Sequence, residues 1–140
     1  MSRFRRRGRV DADVGDGFVA GEATALQTGL AAALTGAERR STVAPVGLTF
    51  ATEDGSHVVI FCRNHTVGFV PPSHVESVLT QLVAAGRARL ETSGQVYRDD
   101  VGWRLWVGPP RADGFPPPEP GADTLAPPQR RMMGIVLPDS

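Results

Sequence analysis

Residues 64–76 read NHTVGFVPPSHVE, and the backbone pattern changes abruptly within this stretch. The apolar run at residues 66–70 predicts a short strand. Pro71 and Pro72 end that strand, because a proline nitrogen cannot donate a hydrogen bond to a ladder. Ser73 is predicted to be the N-cap of a helix, with Glu76 three residues later completing a capping box. A strand that turns directly into a helix predicts a small α+β domain.

The segments on either side of this corner extend the pattern. Apolar residues after the corner recur at helical spacing: Val75, Val78, Leu79, Leu82 and Val83. Upstream, residues 46–51 alternate as a half-buried strand, and Asp54-Gly55 is a strong hairpin signal. The continuous apolar run within residues 57–63 predicts a central strand buried on both faces. With residues 66–70, these segments predict a three-stranded antiparallel meander.

The outer segments complete a predicted order of β-α-β-β-β-α-β-β. Residues 18–20 predict a strand and residues 22–35 a helix, in which Gly29 is unfavourable. Residues 87–97 and 103–107 predict the last two strands. So many short strands with two helices predict a small, curved antiparallel sheet or a partly closed β-barrel.

The composition indicates one domain with two tails. The chain has 140 residues, and its 15 basic residues, all arginine, balance its 15 acidic ones. Residues 1–15 are predicted to be a flexible Arg-rich arm, whose charge is partly neutralised by the aspartates that follow. The domain is predicted to span residues 16–108. Residues 109–140 are predicted to form a Pro-rich, extended tail lying outside the domain.

The tail contains one short apolar run, at residues 132–137. This run could add a strand to an edge of the sheet, or bind a partner by strand addition. An equally good interpretation is a disordered chain end with a few apolar residues.

Cysteine usage and hydropathy bear on the compartment. The lone cysteine, Cys62, is predicted to be a buried apolar side chain and excludes an intramolecular disulfide. No apolar run approaches the ~20 residues that span a bilayer, and the basic N-terminus lacks the apolar segment of a secretory signal. We therefore expect a cytoplasmic protein without membrane attachment.

Signals for catalysis or metal binding are weak. The three histidines, His57, His65 and His74, do not have the spacing of metal ligands. Nucleophile-elbow, Walker and dinucleotide-binding motifs are missing from the sequence. The acidic pairs Glu53/Asp54 and Asp99/Asp100 lie in predicted turns, where aspartate is favoured for local hydrogen bonding. We therefore expect no enzyme activity, no cofactor and no metal.

A binding surface is the remaining expectation. Small barrels bind single-stranded nucleic acid with aromatic rings beside basic side chains. The candidate residues here are Phe69, Arg87, Arg89, Tyr97, Arg104 and Trp106. Tyr97 and Trp106 are predicted to be exposed, whereas Phe50, Phe61 and Trp103 are predicted to be core.

Three short motifs resemble those of HIRAN-type domains. They are FVAGE at residues 18–22, VGFVP at residues 67–71, and GWRLWV at residues 102–107, which is similar to the closing strand of actinobacterial HIRAN-like proteins. The resemblance covers roughly residues 17–108. It implies a small barrel of OB or SH3 type and recognition of single-stranded DNA, especially a 3′ end. An aromatic and Asn-Pro segment usual in the family is replaced here by the short turn at residues 52–56.

Two functions follow from this reasoning. The first is a non-enzymatic module that binds single-stranded nucleic acid, with DNA ends implied by the resemblance. The alternative is a protein–protein interaction module that uses the Pro-rich tail, residues 109–140, to dock a protein partner.

Overall fold

The computed structural model describes residues 8–123 and two short strands further along the chain. The strands are β1 (Arg9–Asp11), β2 (Phe18–Val19), β3 (Val43–Ala51), β4 (Val59–Cys62), β5 (His65–Phe69), β6 (Arg89–Arg98), β7 (Trp103–Val107), β8 (Arg131–Met132) and β9 (Ile135–Val136). The helices are a 3₁₀ turn (Ala23–Ala25), α1 (Gln27–Ala33), α2 (Gly36–Arg40) and α3 (Pro72–Ala85). None of the helices in these described parts is long and apolar enough to cross a membrane.

The strands form one curled sheet, which confirms the predicted fold class. Its order is β2-β7-β6-β3-β4-β5, with neighbouring strands antiparallel, and β1 pairs in parallel with β6. The two ends of this order meet, since Gly21 after β2 exchanges backbone hydrogen bonds with Phe69 of β5 at 2.8 and 3.1 Å. The sheet is therefore a half-barrel whose edges touch at one bridge.

The main core lies on the inner side of the curl. Alternate residues of the strands point into it, including Leu48, Ile60, Leu90 and Leu105, and each is at most 2% exposed. Helix α1 packs on β5 so closely that a Cβ on Gly29 would overlap the carbonyl oxygen of Thr66. The glycine that looked unfavourable in the sequence is therefore required by this close approach.

The central strand is only half-buried, contrary to prediction. In β4, Ile60 and Cys62 are buried, whereas Val59 and Phe61 are partly exposed. The continuous apolar run therefore reflects one core face and one partly covered face. The structure confirms that Cys62 is buried as a free thiol.

The predicted capping box at the opening corner is wrong. Helix α3 begins at Pro72 with Pro71 as its N-cap, and no side chain caps it. A capping box occurs instead at α2, where Thr35 and Glu38 bond reciprocally at 2.8 and 3.1 Å. Proline fits the first helical position because its missing N–H has no helical partner there. Ser73 is therefore free to make a different contact.

The domain is longer at both ends than predicted. Residues 8–15 lie on the sheet, through β1 and the buried side chain of Val14, so only residues 1–7 of the predicted arm fall outside the described residues. Residues 109–123, predicted to lie outside the domain, pack on the outer face of the sheet; we call them the strap. Strands β8 and β9 pair with each other in a separate two-stranded antiparallel sheet.

Candidate functional site

The outer face of the sheet has its own apolar cluster, which the strap covers. Val19, Tyr97 and Trp106 are buried there, and Phe115 of the strap packs against them. The rings of Tyr97 and Phe115 are stacked, with centroids 3.9 Å apart. Burial raises the pKa of Tyr97 to about 12. Strand β7 is therefore covered on both faces, which explains why all five of its residues are buried.

Two side chains of the barrel bind main-chain atoms of the strap. Trp106 Nε1 donates a 2.8 Å hydrogen bond to the carbonyl of Pro109. The Gln95 side chain accepts from the backbone N–H of Arg111 at 2.8 Å and donates to its carbonyl at 3.3 Å. Because these bonds are made to the backbone, they hold an extended chain largely independently of its side chains.

The far end of the strap is held by ionic contacts. Arg104 is 5% exposed and lies between two carboxylates, with Nε 2.8 Å from Asp99 Oδ2 and Nη1 2.7 Å from Asp123 Oδ2. The other oxygen of Asp123 accepts from the backbone N–H of Ala23 at 3.0 Å. Arg104 therefore links the strap to the domain.

The pKa values of this ionic contact follow from burial and pairing. Burial raises the pKa of Asp99, but hydrogen bonds from Arg104 and the turn backbone outweigh it, so the pKa is lowered. Burial lowers the pKa of Arg104, and its two carboxylate partners raise it by more. Both groups are therefore held in their charged forms.

Ser73, His74 and Glu119 form a short hydrogen-bonded chain at the start of α3. Ser73 Oγ donates to Glu119 Oε2 at 2.7 Å, and His74 Nδ1 lies 2.8 Å from the same Oγ. With the hydroxyl proton directed to Glu119, the Ser73 oxygen can accept a hydrogen bond from His74 Nδ1. The carboxylate also suits the positive end of the helix dipole. The arrangement anchors the strap to the start of α3.

A groove of about 320 Å³ lies between the strap and the barrel. Its walls are residues 16–19, His74 and Trp106 from the barrel, and Arg111, Pro116, Pro117 and Glu119 from the strap. Asp16 and Glu119 contribute two carboxylates, and Arg111 contributes one guanidinium, whose Cζ lies 5.0 Å from the centre of the Trp106 ring. With histidine neutral, the groove carries one net negative charge.

The structure separates the candidate nucleic-acid residues into distant groups. Tyr97, Arg104 and Trp106 share the outer face of β6 and β7. Arg89 lies eight residues from Tyr97 along β6, or ~26 Å at strand spacing, and Arg87 lies just beyond Arg89. Phe69 is half-buried at the closing bridge of the sheet.

The prediction that Tyr97 and Trp106 are exposed is wrong. Trp106 is 3% exposed and Tyr97 is 7% exposed. The physical reason is the strap. The Phe115 ring covers the Tyr97 ring, and the carbonyl of Pro109 accepts the hydrogen bond of the Trp106 indole N–H. Arg104 is likewise paired with carboxylates and directed away from solvent.

The sequence did not lead us to the strap residues or to the side chains that bind the strap. Gln95, Arg111, Phe115, Glu119 and Asp123 were not singled out. Two signals were available in the sequence. Trp103 and Trp106 alternate within one strand, so that a tryptophan faces each side. An aromatic and several charged residues also interrupt the prolines of residues 109–123.

The described residues contain no group of three or more His, Cys, Asp or Glu side chains that could hold a metal ion.

In the turn at residues 52–56, Asp54 Oδ1 accepts from the backbone N–H of Ser56 at 2.8 Å and of His57 at 2.9 Å. These two hydrogen bonds from the backbone to one carboxylate oxygen close the turn.

Comparison of the chain with family models, curated proteins and solved structures found no match. The HIRAN resemblance therefore stays a prediction carried by the three motifs. The class that the fold defines is a small α+β domain with a curled half-barrel sheet.

Proposed function

We propose that the protein is a non-enzymatic protein-interaction module, and that an extended segment of a partner binds in the groove walled by the strap. The observation that carries this proposal is the groove itself. It is a concave site with aromatic, proline and charged side chains converging on it, and such sites are the usual places for ligands.

The way the barrel holds its own strap supports the same function. An indole N–H and a glutamine amide bind main-chain atoms of an extended proline-containing segment. Aromatic surfaces with such donors are the means by which many small domains recognise Pro-rich peptides. The outer face therefore has the chemistry for peptide recognition, and the Pro-rich segment contributes one wall of the proposed site.

The test is a display selection of random peptides of about twelve residues on the full chain. Affinities of the enriched peptides are then measured by calorimetry. Pro117→Ala and His74→Ala, both in the groove, are expected to weaken binding by about fivefold or more. Pro110→Ala is the matched control, because Pro110 is also an exposed proline of the strap but lies outside the groove.

Two results would reject this function. One is the failure of any peptide to be enriched on the folded protein. The other is a set of enriched peptides whose affinity is equally insensitive to both groove variants. Thermal unfolding of each variant checks that a loss of binding is not a loss of fold.

Single-stranded nucleic acid is the second candidate, and one observation favours it. The parallel pairing of β1 with β6 brings Arg9 opposite Arg89, next to the exposed Arg87. The four arginines of residues 3–7 precede this end in sequence. Glu91 partly offsets the charge, lying 3.5 Å from Arg9 and 3.8 Å from Arg89.

Anisotropy of a labelled oligothymidine with the full chain tests this candidate. If three arginines contact phosphates, affinity should fall about tenfold between roughly 50 and 150 mM salt. Replacing Arg87 and Arg89 together by alanine should weaken binding, whereas Arg40→Ala on α2 should not. Undetectable binding at both salt concentrations would reject nucleic-acid binding and would not affect the proposal that the groove binds a peptide.

A further inference from the structure

We infer that the groove accepts a cationic side chain, arginine or lysine, from an extended segment of the partner protein. This inference rests on the proposed function and names the chemistry that the groove selects.

The carboxylates of the groove provide the charge complementarity. Glu119 is held in place by the 2.7 Å hydrogen bond from Ser73, so one carboxylate oxygen is oriented before a ligand arrives. Asp16 is exposed on the barrel side of the groove. Each carboxylate can accept hydrogen bonds from a guanidinium or ammonium group, and hydrogen bonds between charged partners are the strong ones.

The aromatic residues of the groove shape its floor and are not open to an incoming cation. Trp106 is 3% exposed and Phe18 is 4% exposed. Arg111 already lies over the Trp106 ring, and its Nε donates to the carbonyl of Gly114 at 2.7 Å. The carboxylates are therefore the groups that pair with a cationic side chain entering the groove.

Anionic partners are disfavoured by the same groups. A phosphate or an acidic side chain entering the groove would meet two carboxylates and one guanidinium. An apolar side chain would cover those charges without pairing them, which costs free energy. The groove volume of about 320 Å³ lies at the low end of ligand sites, and suits one long side chain with its adjoining backbone.

The probe is a set of short blocked peptides, Gly-Ala-Ala-Xaa-Ala-Ala-Gly, in which Xaa is arginine, lysine, citrulline or glutamate. Each is titrated into the isotope-labelled full chain by NMR, which detects weak binding. The chain has two tryptophans. The Trp106 indole signal therefore reports on the groove, and the Trp103 indole signal serves as the internal control.

The arginine and lysine peptides are expected to shift the Trp106 signal and saturate. The citrulline peptide, which has the shape of arginine without its charge, is expected to bind at least about fivefold more weakly, and the glutamate peptide not at all. Asp16→Asn should weaken the arginine peptide by a similar factor, whereas Asp113→Asn, on an exposed part of the strap outside the groove, should not.

Equal binding of the citrulline and arginine peptides would overturn the inference while leaving a peptide groove in place. The inference would also be overturned if the arginine peptide left the Trp106 signal unchanged while display-selected peptides still bound the groove. If neither kind of peptide binds, the inference and the proposed function fail together.

Discussion

Arg104 in β7 and Asp123 at the end of the strap are joined by a 2.7 Å hydrogen bond between Nη1 and Oδ2, although 18 residues separate them in sequence. The guanidinium is buried, and Asp99 is its second carboxylate partner at 2.8 Å. This contact connects the Pro-rich segment to the main domain and fixes one end of the strap.

Asp123→Ala is expected to destabilise the protein by about 1–3 kcal/mol, because it leaves a buried guanidinium with an unmet hydrogen bond. Asp113→Ala, an exposed strap residue, is the control and should change the free energy of unfolding by less than about 0.5 kcal/mol. Chemical denaturation measures both. An equal effect of the two variants would contradict the role of the Arg104 contact.

Tyr97 offers a direct measurement of strap docking, because it is the only tyrosine in the chain. Burial raises its pKa to about 12. The absorbance of the tyrosinate form should therefore appear at a higher pH than it does for an exposed tyrosine. Phe115→Ala removes the stacked ring and should move the pKa of Tyr97 toward its ordinary value near 10. Since the pKa is raised in the folded state, the associated stability is present below about pH 10 and is lost as pH rises toward 12.

Gln95→Leu should loosen the strap without unfolding the barrel. The change removes both hydrogen bonds to the backbone of Arg111. Hydrogen exchange at the Arg111 amide should therefore accelerate, while core amides such as Leu105 keep their protection. Gln27→Leu is the informative comparison, because Gln27 bonds the backbone of Trp103 in the same two-bond manner at 2.8 Å. It should affect β7 and leave Arg111 protected.

Gly29→Ala reverses the usual expectation for a helix. Alanine is favoured over glycine in a helix interior by about 1 kcal/mol, yet the added Cβ would overlap the Thr66 carbonyl. We expect a net loss of about 1–3 kcal/mol from the forced separation of α1 and β5. Gly36→Ala in α2, where the nearest atom is 3.5 Å away, should be neutral or mildly stabilising by calorimetry.

Glu38 should make the protein sensitive to acid. Its pKa is lowered to about 2, first by the hydrogen bond from Arg63 and next by the backbone N–H of Thr35. A lowered pKa means that its stabilisation is complete above the ordinary value near 4.5 and is lost as pH falls toward 2. Glu38→Gln should therefore flatten the dependence of the unfolding midpoint on pH in that window. An unchanged dependence would show that the ion pair contributes nothing.

The sequence alone determined the order of the longer elements, whereas β1 and α2 were not predicted. Hydrophobic periodicity, the two prolines after β5 and the glycine after α3 are local signals, so residues 66–70 as a strand and α3 as a helix were both predicted correctly. Alternation in residues 103–107 likewise identified β7, because one face of a strand in a curved sheet must be apolar.

Only the tertiary structure decided which polar and aromatic groups are available to a ligand. Burial of Trp106, Tyr97 and Arg104 depends on a segment that begins just after β7 and has no periodicity of its own. The same holds for the cap of α3, where Ser73 bonds Glu119, 46 residues away in sequence, instead of its own helix. Side-chain alternation within a strand tells which face a residue takes, but not what covers that face. The candidate site is therefore a product of the strap's path over the barrel.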